Sequence, residues 1–418
     1  MKQEHTENDR FGKATKAIVL GIIVMLCFVE SFSANGFLPA LPGIAKHFDI
    51  QAGFMQIAIP VYFLGYLVQI PYGFLSDCYG RKKVIILSYA IFLAGSVICI
   101  FANFYIIFLI GRFLQGIGMC SVYLYRPILC DILSEKQLNS VYSALHGGLV
   151  IVSAIAPLIG GYLCHFFGWR SIFIALLCLG IIGVIIILLI YPETLKESYN
   201  AHSLFHSFIE KNVSLLKNKI LILCAVCSML CFAEIYIIFT ISPFLFQNTF
   251  GWSTHNYGYL AFGFFLIIAS GAMFNSIFVR RWTILRIMSV GIYAALLISI
   301  LMISSFFLPF YSHTILLCIF CFCFIMGIFS PNTFLHSIKT VNKDVDAGTS
   351  FMFFNCIRTI GVLLLVGTSF LHSQSGIVMG ILSFIVSFII LILLIVLKQK
   401  RFDSQKEGKE ELLQTEIL

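Results

Sequence analysis

Gly73-Phe74-Leu75-Ser76-Asp77-Cys78-Tyr79-Gly80-Arg81-Lys82-Lys83 is a dense charged knot between two long apolar segments. Gly73, Asp77, Gly80 and Arg81 stand at the spacing G-x(3)-D-x(2)-G-R, followed by two lysines. A carboxylate at the point where one apolar segment gives way to the next can cap a neighbouring helix N-terminus, where the backbone dipole is positive. The guanidinium of Arg81 can bridge to a second carboxylate. Asp131, at the same end of the fourth apolar segment, is the partner expected for it.

Outward from this knot the chain is overwhelmingly apolar. Of its 418 residues 60% are hydrophobic and only 11% charged, where a soluble domain carries about a quarter charged residues. The apolar runs are about 20 residues long, the length of spanning helices and not of barrel strands. The fold class expected is an all-α integral membrane protein with twelve spans, at 17–40, 54–75, 84–102, 105–129, 141–164, 169–191, 219–247, 256–278, 285–307, 313–336, 348–371 and 375–397. Met1 to Arg10 is polar and the first apolar run is too long for a signal h-region, so no cleavable signal is expected. The 14 cysteines are scattered through apolar runs, where Cys acts as a small hydrophobe. Cys224 and Cys227 form a C-x-x-C with Cys231 following, but no second pair or nearby His completes a metal set. No metal and no cofactor is expected.

Placement of the positive charges gives the topology. Lys2, Arg10, Lys13 and Lys16, the knot itself, Lys136, the lysines from Lys196 to Lys219, Arg280, Arg281, Arg286, Lys339, Lys343 and the C-terminal lysines fall on one side, while only Lys46 and Arg170 fall on the other. The positive-inside rule puts both termini in the cytoplasm, and this explains the net charge of +8 without a nucleic-acid partner. The polar stretch 192–218 divides the chain into a tail 1–16, six spans over 17–191, six spans over 219–397 and a charged tail 398–418. The halves echo each other: Met25-Leu26-Cys27-Phe28-Val29-Glu30 recurs as Met229-Leu230-Cys231-Phe232-Ala233-Glu234, with Pro39 answering to Pro243. Parallel repeats of this kind are a transporter build, with substrate near the midplane between halves.

Several stretches resemble one family. The knot resembles the loop motif between the second and third helices of the major facilitator superfamily of secondary transporters. Gly111-Arg112-Phe113-Leu114-Gln115-Gly116-Ile117-Gly118 resembles its R-x-x-Q-G-x-G motif, and Ala156-Pro157-Leu158-Ile159-Gly160-Gly161 its G-P-x-x-G-G antiporter motif, with Ala for the first Gly. Phe37-Leu38-Pro39-Ala40-Leu41-Pro42-Gly43-Ile44-Ala45 resembles the D-x-Y-L-P-A-L-P-x-I-A run of Bcr/CflA-type drug/proton antiporters. Gly168-Trp169-Arg170-Ser171-Ile172-Phe173, Pro192-Glu193-Thr194-Leu195 and Ser242-Pro243-Phe244 with Phe250-Gly251 resemble later stretches of that family. The resemblance is specific in the first half and looser in the second. It implies two rocking six-helix bundles, a proton gradient as the energy source with no cofactor, a monomer in the inner membrane, and a cytoplasmic latch of Gly73, Asp77, Gly80, Arg81 and Asp131. The helix-five motif implies a bend and a close approach at Pro157, Gly160 and Gly161. Two departures stand out: the family's acidic residue in helix one is Asn35 here, and its later arginine in helix four is Cys130. Glu30 stands about 140° around an ideal helix from Asn35 and is placed to take over the proton.

Charges inside spans are costly and face a cavity or a partner. Glu30, Glu234, Arg112, Arg126 and Arg358 are such residues. Glu30 paired with Arg112 is the expected proton-coupling pair, with Glu234 as second candidate. Arg112, Gln115, Met119, Tyr123 and Arg126 fall at helical spacing on one face. Asn35, Gln115, Met119, Tyr123, Arg126, Asn355 and Arg358 are the expected substrate cavity. The reading is a proton-coupled exporter of drugs or small metabolites. The surplus of buried arginine leaves open a transporter of either direction for an anionic or zwitterionic metabolite, such as a carboxylate siderophore or an amino acid, since Arg holds a carboxylate with two hydrogen bonds. His146, His165, His202 and His206 are scattered, so no catalytic constellation points to an enzyme. The expected partners are therefore a small molecule, protons and the lipid bilayer.

Overall fold

A computed structural model describes residues 11–195, 201–338, 347–364 and 375–416. Among these the chain is helical, with no strand. Ten helices are long and apolar enough to cross a membrane: α1 Lys13–His47, α2 Ala52–Tyr79, α3 Arg81–Phe101, α4 Tyr105–Ile132, α6 Arg170–Ile190, α7 Lys219–Thr249, α8 Thr254–Phe278, α9 Ile284–Ser305, α10 Tyr311–Ser337 and α12, whose apolar part is Gly376–Gln399. Two shorter apolar stretches, Ile151–Phe167 and Ser350–Leu363, stand where the fifth and eleventh spans are expected. They belong to α5 (Glu135–Phe167) and α11 (Ala347–Leu363).

Two polar stretches are helical. Within the polar stretch 192–218 a linking helix runs Ala201–Lys217, and α12 continues past 397 to Glu416. Lys, Glu and Gln are good helix formers, so polarity there marks departure from the membrane and not the end of the helix. The N-terminal residues 1–10, Lys196, Lys339 and Lys343 lie outside the described residues, as do the side chains of Lys136, His146, His202 and His206.

Each half holds together by its own close crossings. α3 packs on α4 and α6, α2 on α4, and α1 on α5 and α6; in the second half α8 packs on α10, α9 on α10 and α12, and α7 on α10, α11 and α12. Where α2 crosses α4, Gly65 and Gly116 lie back to back: a Cβ on Gly116 would overlap the Tyr62 carbonyl oxygen. Gly271 and Gly327 make the same crossing between α8 and α10, so the sequence echo extends to packing. Between the halves, α5 packs along α8 and α2 along α11.

The α2–α3 knot has a defined build. Gly80 turns the chain with φ +98°, a left-handed conformation open to glycine at little cost. This frees the first N–H groups of α3, and they are taken by Glu193: Arg81 N donates to Oε1 at 2.9 Å and Lys82 N to Oε2 at 3.2 Å. Capping at this helix start was expected from Asp77; among the described contacts the carboxylate at that N-terminus is the glutamate of Pro192-Glu193-Thr194-Leu195. The geometry explains why: Asp77 is turned to the Arg81 side chain, with Oδ1 2.6 Å from Nη1. Glu193→Ala is expected to destabilise the purified protein by at most about 1 kcal/mol, the worth of an exposed cap. Thermal unfolding in detergent checks it, with Lys83→Ala as a neutral reference.

Candidate functional site

Half-buried polar side chains stand where the two halves face each other. Glu30 on α1, Tyr123 and Arg126 on α4, and Arg358 on α11 keep partial exposure there. Glu30 Oε1 accepts from the Tyr66 hydroxyl at 2.7 Å, and Oε2 accepts from Ser31 Oγ at 3.3 Å. Ser31 Oγ lies 3.0 Å from Ser153 Oγ of α5. Arg358 comes from α11 of the opposite half. Its guanidinium carbon sits 4.1 Å over the Phe232 ring, and that of Arg126 lies 5.3 Å over Phe351. Cations on ring faces gain from the ring quadrupole, more so when water is excluded.

Glu30 and Arg112 do not meet as an ion pair. Arg112 is fully buried, sandwiched between Phe37 (4.0 Å) and Tyr62 (4.3 Å). Its Nη1 donates to the Ser33 carbonyl at 3.1 Å and to Gln115 Oε1 at 2.7 Å, while Nε and Nη2 have no hydrogen-bond partner among the described residues. Gln115 Nε2 in turn donates to Ser96 Oγ at 2.9 Å. The link between Arg112 and Glu30 runs through two tyrosines of α2: Tyr62 lies against the guanidinium, its hydroxyl is 2.9 Å from that of Tyr66, and Tyr66 donates to Glu30.

This rearranges the expected cavity. Gln115 and Met119 are fully buried, and Gln115 is committed to Arg112 and Ser96. Tyr123 and Arg126 instead reach the space between halves. The single face expected for α4 breaks because its α-helix stops at Met119 and a 3₁₀ stretch runs Cys120–Leu124 before helix resumes. A 3₁₀ helix has three residues per turn, so positions beyond it rotate off the earlier stripe. Asn35 is buried and accepts from Tyr236 of α7 at 3.3 Å, a contact across the halves. Asn355 is buried too, its amide donating to Phe351 O of its own helix at 2.8 Å.

Glu234, the sequence counterpart of Glu30, has different surroundings. It is fully buried and faces α12, where Ser387 Oγ donates to Oε1 at 2.6 Å; Oε2 has no hydrogen-bond partner among the described residues. The echo therefore yields one acid in the inter-half space and one inside the second half.

Contacts between the halves are made at both ends of the bundle. At the end carrying the α2–α3 connection, Arg81 is buried. It meets Asp77, places Nε 3.2 Å from Asp131 Oδ2 and contacts Ser76 Oγ. Gly73 faces Met352 of α11, whose sulfur would be 2.7 Å from an added Cβ. The second half has no such ion-pair cluster among the described residues; Arg280 and Arg281 are exposed, and α8 is tied to α10 by a buried amide pair, Asn332 Nδ2 donating to Asn275 Oδ1 at 2.7 Å. At the other end, α5 runs as one helix through Pro157. Gly160 sits against the Gly36 carbonyl and Gly161 against Gly258 of α8. Gln247 Nε2 donates to Pro39 O at 2.8 Å, and the Tyr162 and Tyr259 hydroxyls meet.

Tyr62, Tyr66 and Tyr236 were not singled out in the sequence, and Phe232 entered only through the repeat. Tyr62 and Tyr66 stand one helical turn apart in an apolar segment, which is the signal that could have found them: two hydroxyls on one helix face.

Comparison with known proteins follows the same lines. The family model described as Major Facilitator Superfamily matches residues 23–366. A bicyclomycin resistance protein homolog of Haemophilus influenzae is 28% identical over 267 residues, 63% of this chain and 66% of that protein. The multidrug resistance protein MdtL of Shigella flexneri is 33% identical over 187 residues, 42% of this chain and 48% of that protein. The aligned stretches thus span about half to two thirds of these relatives, and their names agree with the Bcr/CflA-type resemblance. The crystal structure of a D-xylose–proton symporter superposes with a TM-score of 0.74 over 90% of this chain and 97% of that one, at 10% identity, which shows a shared fold. With the family model covering most of the chain and ten helices long enough to span a bilayer, the protein belongs to the major facilitator superfamily, as a multi-pass membrane transporter and not an enzyme.

Proposed function

We propose that this transporter is proton-coupled, works by alternating access in the inner membrane, and exports drugs or small metabolites in exchange for protons. The observation that carries the reading is Glu30: a half-buried ionisable carboxyl deep in the bundle, hydrogen-bonded by Tyr66 of its own half, with the half-buried Arg358 of the other half as its counter-charge in this reading. A carboxyl beside an arginine favours its charged form, and one stripped of that partner favours its neutral form. Rocking of the halves changes this neighbourhood, so the carboxyl takes up and gives back a proton once per cycle. In this reading Asp77, Arg81 and Asp131, with Gly73 and Gly80, latch the cytoplasmic end. Gly160 and Gly161 seal the outer one. Twelve spans, both termini in the cytoplasm and a monomer complete it, with the proton gradient as the driving force and no cofactor.

A second reading rests on Arg126 and Arg358. Two cations on aromatic faces beside a single glutamate suit a substrate with a carboxylate, moved in either direction. Inside-out vesicles loaded with a pH dye and energised to an acidic lumen test both. Cationic drugs and anionic metabolites are added one at a time. Lumen alkalinisation by at least one compound is the expected result, and its charge names the substrate class. Silence across the panel, together with uptake of a labelled anion by whole cells, overturns export in favour of the proton-coupled importer.

A further inference from the structure

The outer seam between α5 and α8 holds a pair of groups that the transport reading does not use. His165 of α5 and His255 of α8 stand with ring centroids 4.5 Å apart at 58°. They come from opposite halves of the chain. Their separation is set by backbone and not by loops, because the helices run antiparallel in tight register just below them. Gly161 lies against Gly258, with an added Cβ on Gly161 only 3.1 Å from the Gly258 Cα, and the Tyr162 and Tyr259 hydroxyls meet on the next step. His165 is exposed and His255 half-exposed, so an aqueous ion reaches both.

We propose that His165 and His255 form a bridging site for a divalent transition-metal ion, which staples α5 to α8 and holds this end shut. Imidazole suits nickel, copper and zinc, and ligation needs a lone pair on one ring nitrogen of each neutral His. Ser253 Oγ lies 3.1 Å from Nδ1 of His255. With Nδ1–H donating to that oxygen, Nε2 carries the lone pair and the ring is oriented, the usual outer arrangement of a metal-binding histidine. Among the described residues no third His, Cys, Asp or Glu joins the pair, so water completes the coordination, as at open metal positions. Such a site holds its metal reversibly. Its consequence is mechanical: the ion closes a ring between two bodies that must part for the outer side to open.

The test uses full-length protein in detergent with any polyhistidine tag removed, and needs no substrate. Thermal unfolding is followed against increasing Ni²⁺ at about pH 7.5, where imidazole is neutral enough to ligate. The expected result is a saturable rise in the unfolding midpoint. The rise is abolished in His165→Gln and in His255→Gln, and retained in His313→Gln, an exposed histidine elsewhere. Cu²⁺ bound to the same protein should give an electron paramagnetic resonance signal with two equatorial imidazole nitrogens, reduced to one in either variant. A midpoint indifferent to Ni²⁺ overturns the site, and so does a rise that survives in either single variant. Because both variants sit at the surface, their unfolding midpoints without metal report folding separately. Transport plays no part in the readout, so this result and the proton-coupling result stand or fall independently.

Discussion

Glu30→Gln protein is expected to release no proton when a transported compound is added to it in detergent, and its coupled transport should fall to the level of empty vesicles. The substitution is near-isosteric. The amide oxygen of Gln still accepts from Tyr66, which donates to Oε1 at 2.7 Å in the native protein, and the amide NH₂ keeps Ser31 in reach. What disappears is the ability to bind a proton, so folding survives while coupling does not. Glu234→Gln is the informative partner. Its carboxyl lies inside the second half against Ser387 of α12 and away from the space the halves share, so release should persist in that variant. Unchanged proton release in Glu30→Gln removes Glu30 from the role and transfers it to Glu234.

The largest structural effect is expected at the α2–α4 crossing. Gly116→Val places a branched side chain where even a Cβ would overlap the Tyr62 carbonyl, and Gly65 on the facing helix leaves no slack, its own added Cβ lying 2.5 Å from Ile117 N. The obstructing atoms are backbone, which cannot swing aside. Overpacking a tight core costs about 1–3 kcal/mol and occasionally more, and this crossing belongs at the upper end. It also carries Tyr62 and Tyr66, so separating the helices breaks the Arg112–Tyr62–Tyr66–Glu30 chain. The expected outcome is loss of most monodisperse protein in size-exclusion chromatography and a strongly lowered unfolding midpoint in what remains. Gly21→Ala, where an added Cβ meets nothing within 4 Å, should be indistinguishable from wild type. Wild-type behaviour in Gly116→Val would mean that α2 and α4 are not packed as described.

The sequence was legible where a single rule governs it. Apolar runs of spanning length located the helices, and the place of Asp131 at the end of the fourth run paired it with Arg81 before any coordinates. It was illegible where geometry depends on a local change of helix type. The stripe from Arg112 to Arg126 assumes one uninterrupted α-helix. The 3₁₀ stretch at Cys120–Leu124 sends its two ends to different neighbours, and nothing in Cys-Ser-Val-Tyr-Leu announces it. The glutamate echo failed for a related reason. Periodicity says which residues share a helix face, but not which neighbour that face meets, and α1 and α7 turn their acids to different neighbours. Glu193 shows a third limit. Its partners are backbone N–H groups far away in sequence, and only the positive φ at Gly80 exposes them.

The inter-half space has an electrical meaning. Arg126 and Arg358 flank it with Glu30, and Arg112 lies behind the tyrosines without a carboxylate of its own. In the proposed alternating-access cycle, any net charge these side chains carry would change its position in the membrane voltage, which does work of about 2.3 kcal/mol per elementary charge for each 100 mV traversed. In that cycle the empty carrier would itself be a gating charge. Its return step should be slowed or hastened by voltage even with no substrate aboard, and a substrate that neutralises the arginines would make the loaded step the voltage-insensitive one.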